Sequence, residues 1–172
     1  VKFEIRTDQW TLKNADLTGI ANEECERFTR HTYERNGVKL NYRLFTPQTE
    51  AGKKYPLVLT MHGSGETGDR CGFDNNLHIS DNRLALSFAT EEWQKSHPCY
   101  ILSPQFPSLA ESYDTAHYED AYLDIIRQLE EDRYIDTQRI YGATLSMGSR
   151  IMYSLLTRYP DYFAGLIINA GN

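Results

Sequence analysis

The chain has 172 residues, 40% of them hydrophobic, 24% charged and 12% aromatic, which suits one domain with a substantial core. A formal net charge of −6 argues against a general role on nucleic acid or anionic lipid, where a basic patch is expected. No segment approaches the ~20 apolar residues of a membrane span, and the opening Val-Lys-Phe-Glu-Ile-Arg lacks the apolar core of a signal peptide.

Residues 1–27 are polar and weakly alternating, and read as an edge strand or linker, with the domain proper running over 28–172. From Phe28 to Tyr33 and from Val38 to Phe45, period-2 alternation flanks Asn36-Gly37, a hairpin signal. Pro47 and the polar stretch 48–54 close that unit. Tyr55–Met61 is a continuous apolar run, as expected of a strand covered on both faces, and it empties into the glycine-rich loop His62-Gly-Ser-Gly-Glu-Thr-Gly68. The pattern predicts a helix over 82–95, capped by Asp81 and stopped by Pro98. A short buried strand follows over Cys99–Ser103, ended by Pro104-Gln-Phe-Pro107. A helix is expected over 115–132, where Tyr118, Tyr122, Ile125, Ile126 and Leu129 stand at helical spacing. Arg139–Ala143 reads as a strand, Met147–Tyr159 as a helix stopped by Pro160, and Gly165–Asn169 as a strand. Strands alternating with helices after a hairpin predict an α/β fold, a mainly parallel sheet with helices on both faces. A last apolar strand with no successor leaves the C-terminal sheet edge incomplete, so a further segment of the same protein is expected to cover it.

Arg139-Ile-Tyr-Gly-Ala-Thr-Leu-Ser146-Met-Gly148-Ser reads as strand, sharp turn and helix start. Such a bend pushes the Ser146 hydroxyl out at the sheet's carboxyl edge, beside free helix N–H groups. Gly148 lets the helix pass close to the strand, whereas Thr144 puts a β-branched residue beside the turn. The plainer alternative is that Ser146 only caps the helix. A serine nucleophile needs oxyanion donors. The expected pair is the N–H of Met147 and that of Ser64 in the glycine-rich loop, with Gly65 next in line.

His31, His62, His78, His97 and His117 all precede Ser146, whereas this arrangement orders its triad as Ser, then Asp or Glu, then His. None is therefore expected to be the base. His62 reads as a brace for the oxyanion loop, and His78 and His117 as solvated. Glu66 and Asp69 are read as solvated loop residues. Gln105, beyond a strand's carboxyl end, is a candidate substrate-binding residue by its topological place. No two histidines stand at the i, i+4 spacing of a helical metal site. Cys25, Cys71 and Cys99 fit either one disulfide with a free thiol or three reduced thiols. No cofactor or metal is implied.

The run Lys54–Gly68, His97-Pro with Ser103-Pro-Gln-Phe-Pro107, Asp136-Thr-Gln-Arg-Ile-Tyr141 and Ser146-Met-Gly resembles the α/β-hydrolase family of peptidases and carboxylesterases related to polyhydroxybutyrate depolymerases and feruloyl esterases. The resemblance covers about 33–172 in the right order. It implies a serine hydrolase cleaving small-molecule or polymer carboxylic esters through an acyl-enzyme on Ser146. The family's Asp and His would fall after Asn172, its upstream immunoglobulin-like domain would end near 1–27, and a secreted or periplasmic location is favoured. Thr144 and Ser149 depart from the family's Gly-x-Ser-x-Gly-Gly form. With the triad partners lying outside the chain, that departure keeps a non-catalytic hydrolase-fold binding module as the alternative, beside a peptidase-like or carbohydrate-ester specificity.

Overall fold

Asn36 and Gly37 both take positive φ, 54° and 78°, the left-handed pair that a two-residue hairpin requires. They join strands β1 (Thr29–Arg35) and β2 (Val38–Phe45), which pair antiparallel from Thr29–Leu44 to Arg35–Val38. The computed structural model describes residues 23–73, 75–111 and 115–171. The segment read as an edge strand or linker falls, over 1–22, outside the described residues.

Strand β3 (Tyr55–Met61) is followed by a single 3-10 turn at Ser64–Glu66 and two four-residue helical turns, α1 (Gly68–Cys71) and α2 (Leu77–Ser80). The helix expected over 82–95 is instead two, α3 (Leu84–Ala89) and α4 (Glu91–Ser96). Thr90 breaks it: its backbone is extended and its hydroxyl accepts the Trp93 N–H, so it caps a new helix. Asp81 closes α2 rather than opening a helix, and the Asn82 side chain takes the Leu84 N–H instead.

Strand β4 (Tyr100–Gln105) runs through Pro104, past its expected end. Its pairing with β3 ends at Leu59–Leu102, so Pro104 faces only the β2 neighbour Tyr42 across a register, and on a half-free flank no N–H is missed. Helix α5 (Ala116–Asp132), strand β5 (Ile135–Leu145), helix α6 (Met147–Arg158) and strand β6 (Gly165–Asn169) complete the order.

The sheet runs β1-β2-β4-β3-β5-β6, parallel from β4 to β6. Alternating side chains split its core between two faces. Leu57, Leu59, Met61, Tyr100 and Leu102 pack against α5 and α6 through Tyr122, Ile126, Ile151 and Leu155. Val58, Ile101 and Ala143 face the other way, onto Ile79, Ala85, Leu86 and Ala89. The expected α/β class, with helices on both faces, is the one found. On the second face the cover stops short of β6. A hollow of about 580 Å³ opens there among Val58, Phe88, Trp93, Tyr141, Leu166 and Ile167, and Ile167 is 52% exposed.

Candidate active site

Three strand ends bring the site together. Met61 pairs with Thr144 and Leu145 with Asn169, so the chain leaves β3, β5 and β6 at one level of the sheet's carboxyl edge. There β5 turns into α6 through Ser146, whose φ of 49° and ψ of −113° make it a non-glycine residue in strained backbone. Its side chain is exposed. The reading of Ser146 as an ordinary helix cap is not what its geometry gives, since it sits at the cap position without a side-chain cap hydrogen bond.

The bend holds because its neighbours are fastened. The Ser146 N–H donates to the Asn169 carbonyl at 2.9 Å, and its own carbonyl takes the Ser149 N–H. The Gly148 N–H donates to the His62 carbonyl at 3.1 Å, stitching the helix start to the β3 loop. That approach leaves no room for a side chain: a Cβ on Gly148 would lie 2.5 Å from the Met61 carbonyl oxygen. With the Gly148 donor used, Met147 contributes the first helix N–H that the α6 ladder leaves over.

On the facing loop, a Cβ on Gly63 would stand 3.7 Å from the Ser146 Cβ. The glycine-rich loop therefore lies against the serine, with Ser64 next in the chain. His62 braces it as expected. It is buried, its Nδ1 lies 2.6 Å from the Gly63 carbonyl, and its Nε2 accepts the Phe106 N–H at 2.8 Å. One ring nitrogen must donate and the other accept, which requires the neutral Nδ1–H form. Burial pushes its pKa down in the same sense.

Two readings of the loop residues are overturned. His78 is not solvated: it is 2% exposed, its ring meets that of His62 edge-on at 5.8 Å, and its Nε2 lies 2.9 Å from the Ser103 carbonyl. Burial, with the nearby His62, lowers its pKa to about 3. Glu66 is buried too, accepting from the Asn82 amide at 3.0 Å. Their partners, the Ser103 carbonyl for His78 and Asn82 for Glu66, lie 16 or more positions away, so local polarity does not report the burial. Asp69 is exposed as read, and the His117 side chain lies outside the described residues.

Gln105 is buried and its amide is occupied by backbone: Nε2 donates to the Gly72 and Glu66 carbonyls, and Oε1 accepts the Asn75 N–H. It borders a cavity of about 280 Å³ with Lys39, Asn41, Phe73 and Pro107. Nothing in the local pattern marks Arg43, which is fully buried on β2 and forks to the Phe28 and Asn75 carbonyls and the Asn76 side chain. Among the described residues the three cysteines are free thiols, and burial raises Cys25 to about 11.

A strand order of 1-2-4-3-5-6 with a strained serine at the β5–α6 bend decides the fold. This chain belongs to the α/β-hydrolase fold. A thermostable esterase superposes with a TM-score of 0.75 at 34% identity, over 84% of this chain and 41% of its own. The S-formylglutathione hydrolase of Staphylococcus aureus superposes at 0.64 and 14% identity, over 84% of this chain and 58% of its own. A ferulic acid esterase gives 0.52 and 21%, over 81% and 57%. No family model and no curated protein sequence matches the chain. The α/β-hydrolase chain thus spans about two fifths of the thermostable esterase. Among its described residues, no helix is long and apolar enough to cross a membrane.

Proposed function

We propose that the chain carries the nucleophile and the oxyanion donors of a serine hydrolase that cleaves carboxylic esters. Ser146 Oγ attacks the ester carbonyl carbon and its proton passes to a histidine base beyond Asn172. The N–H groups of Met147 and Ser64 hold the oxyanion. The alcohol departs with that proton, and water then releases the acid and frees Ser146. The observation that carries this reading is the strained, exposed Ser146 standing against the Gly63 loop. The esterase likeness at 34% identity favours an ester over other acyl substrates.

A positioned base contributes ~10²–10⁴-fold to such a reaction, so an Asp–His pair supplied by further polypeptide belongs to the proposal. The same polypeptide would cover the apolar hollow beside β6. Gln105, with its amide committed to backbone, would shape the substrate pocket rather than hydrogen-bond the ester.

A fluorophosphonate probe tests this on the full-length protein. Covalent labelling at Ser146 that vanishes in Ser146→Ala, together with ester hydrolysis, is the expected outcome. A folded protein that neither labels nor hydrolyses esters would instead be a binding module.

A further inference from the structure

Two side chains that break the family pattern around Ser146 are bonded to one another. Thr144 Oγ1 and Ser149 Oγ are 2.9 Å apart, both completely buried, one near the end of strand β5 and the other in the first turn of α6. Ser149 Oγ also lies 2.9 Å from the Asn169 carbonyl. A carbonyl only accepts, so the single Ser149 hydroxyl hydrogen goes to Asn169, and Ser149 must accept the hydrogen of Thr144. The second Thr144 contact, 3.4 Å to the Ile167 carbonyl, is the longer and weaker claim on that hydrogen. The Asn169 carbonyl takes the Ser146 N–H on its other side. The result is one directed chain, Thr144 to Ser149 to Asn169, meeting the Ser146 amide at the same oxygen.

We propose that Thr144 and Ser149 are a coupled pair of positioning residues that hold the Ser146 bend through the Asn169 carbonyl. This rests on Ser146 being the nucleophile. A residue at φ 49° and ψ −113° persists only where its surroundings over-determine it. Here the fastening comes from β6, the strand at the end of the sheet order. Glycines at 144 and 149 leave nothing to tie. Threonine alone would keep only the long contact to the Ile167 carbonyl, and serine alone would lose its donor while still reaching Asn169. The two departures complete one another, and they join the elbow to the strand beside it.

The test uses the full-length protein, with Thr144→Val and Ser149→Ala made singly and together, and Thr144→Ser as the variant that keeps the hydroxyl. The acylation rate is read from the burst with an activated ester, KM and kcat are separated, and the melting temperature is recorded. Ser149→Ala is expected to slow acylation about tenfold at unchanged KM, inside the ~100-fold range of small misplacements. Thr144→Val should slow it less, Thr144→Ser should restore it, and the double variant should be no slower than Ser149→Ala. Hydrogen exchange at the Ser146 amide should quicken in Ser149→Ala. Singles that lower the melting temperature but acylate at the wild-type rate overturn the proposal, as do effects that multiply in the double variant. Turnover surviving in Ser146→Ala would instead overturn the nucleophile assignment beneath it.

Discussion

Gly148 in the first turn of α6 and Gly65 in the glycine-rich loop both belong to the site, yet space separates their roles. A Cβ on Gly148 would meet the Met61 carbonyl oxygen at 2.5 Å and the Met61 Cβ at 2.7 Å, whereas one on Gly65 would meet nothing within 4 Å. Because the obstacle at 148 includes backbone, β3 and α6 would have to part. Gly148→Ala should cost about 1–3 kcal/mol or more, the range of overpacking in a close-packed region, and Gly65→Ala should melt near wild type. Thermal unfolding of the two variants checks this, and equal melting temperatures contradict it. His78 supplies the second prediction at this scale. Its pKa is about 3 when folded against an ordinary 6.5, so between those values the unfolded chain binds the extra proton. Stability is then full above about 6.5 and falls as the pH drops toward 3, by up to about 1.4 kcal/mol per unit within that window. The gap between denaturant midpoints measured at pH 7.5 and 5 should narrow when His78 is replaced by Gln, and what remains includes the contribution of His62, whose pKa burial also lowers. A His78→Gln protein with the wild-type pH slope would contradict the assignment.

At the scale of elements, Arg43 shows what pattern reading does and does not reach. The Asn36-Gly37 hairpin, the apolar β3 run and the Ser146 bend were legible because their causes are local: positive φ, two-sided burial, and a serine between strand and helix. Arg43 falls in a β2 alternation that gives no warning of burial. Its Nε donates to the Asn75 carbonyl at 2.6 Å, Nη1 to the Phe28 and Cys25 carbonyls, and Nη2 to the Asn76 side chain at 2.6 Å. Those partners lie 15 or more positions away in the chain, so no window on the sequence contains them. The same holds for the burial of Glu66 and His78, whereas the break at Thr90 is local, a cap on the Trp93 N–H that outcompetes helix continuity. Arg43 anchors Asn75 and Asn76, and Gln105 holds Gly72 and Asn75. Arg43→Met would leave those carbonyls unpaired, and its expected cost is about 1–3 kcal/mol for each buried group left unsatisfied. Arg43→Lys cannot reproduce the fork and should recover only part of that loss. Urea unfolding at constant m-value reads both, and a Met variant within 1 kcal/mol of wild type, about the worth of one ordinary hydrogen bond, would remove Arg43 from this role.

For the whole molecule, the two sheet faces are unequal. Helices α5 and α6 seal the first, but the second carries cover only as far as Phe88 and Trp93, and beyond them lies the hollow of about 580 Å³ floored by Val58, Tyr141 and Ala143. Ile167 on β6 borders it at 52% exposure, with Trp93 at 39% on the opposite rim. Contiguous apolar surface of this kind attracts a covering partner or drives association. A strand ladder with a free flank adds unpaired backbone groups to the same place. Residues 1–172 expressed alone should therefore bind a hydrophobic dye and self-associate as concentration rises. Trp93 emission should then shift to shorter wavelength as the rim is buried. Ile167→Lys puts a charge at the border of the hollow and should reduce both dye binding and association while leaving the first face folded. If the wild-type chain stays monomeric and takes up no dye at concentrations where it is folded, the hollow is not the uncovered core face that its lining indicates. In that case the polypeptide proposed to bring the Asp–His pair would have to join the sheet through the β6 edge alone.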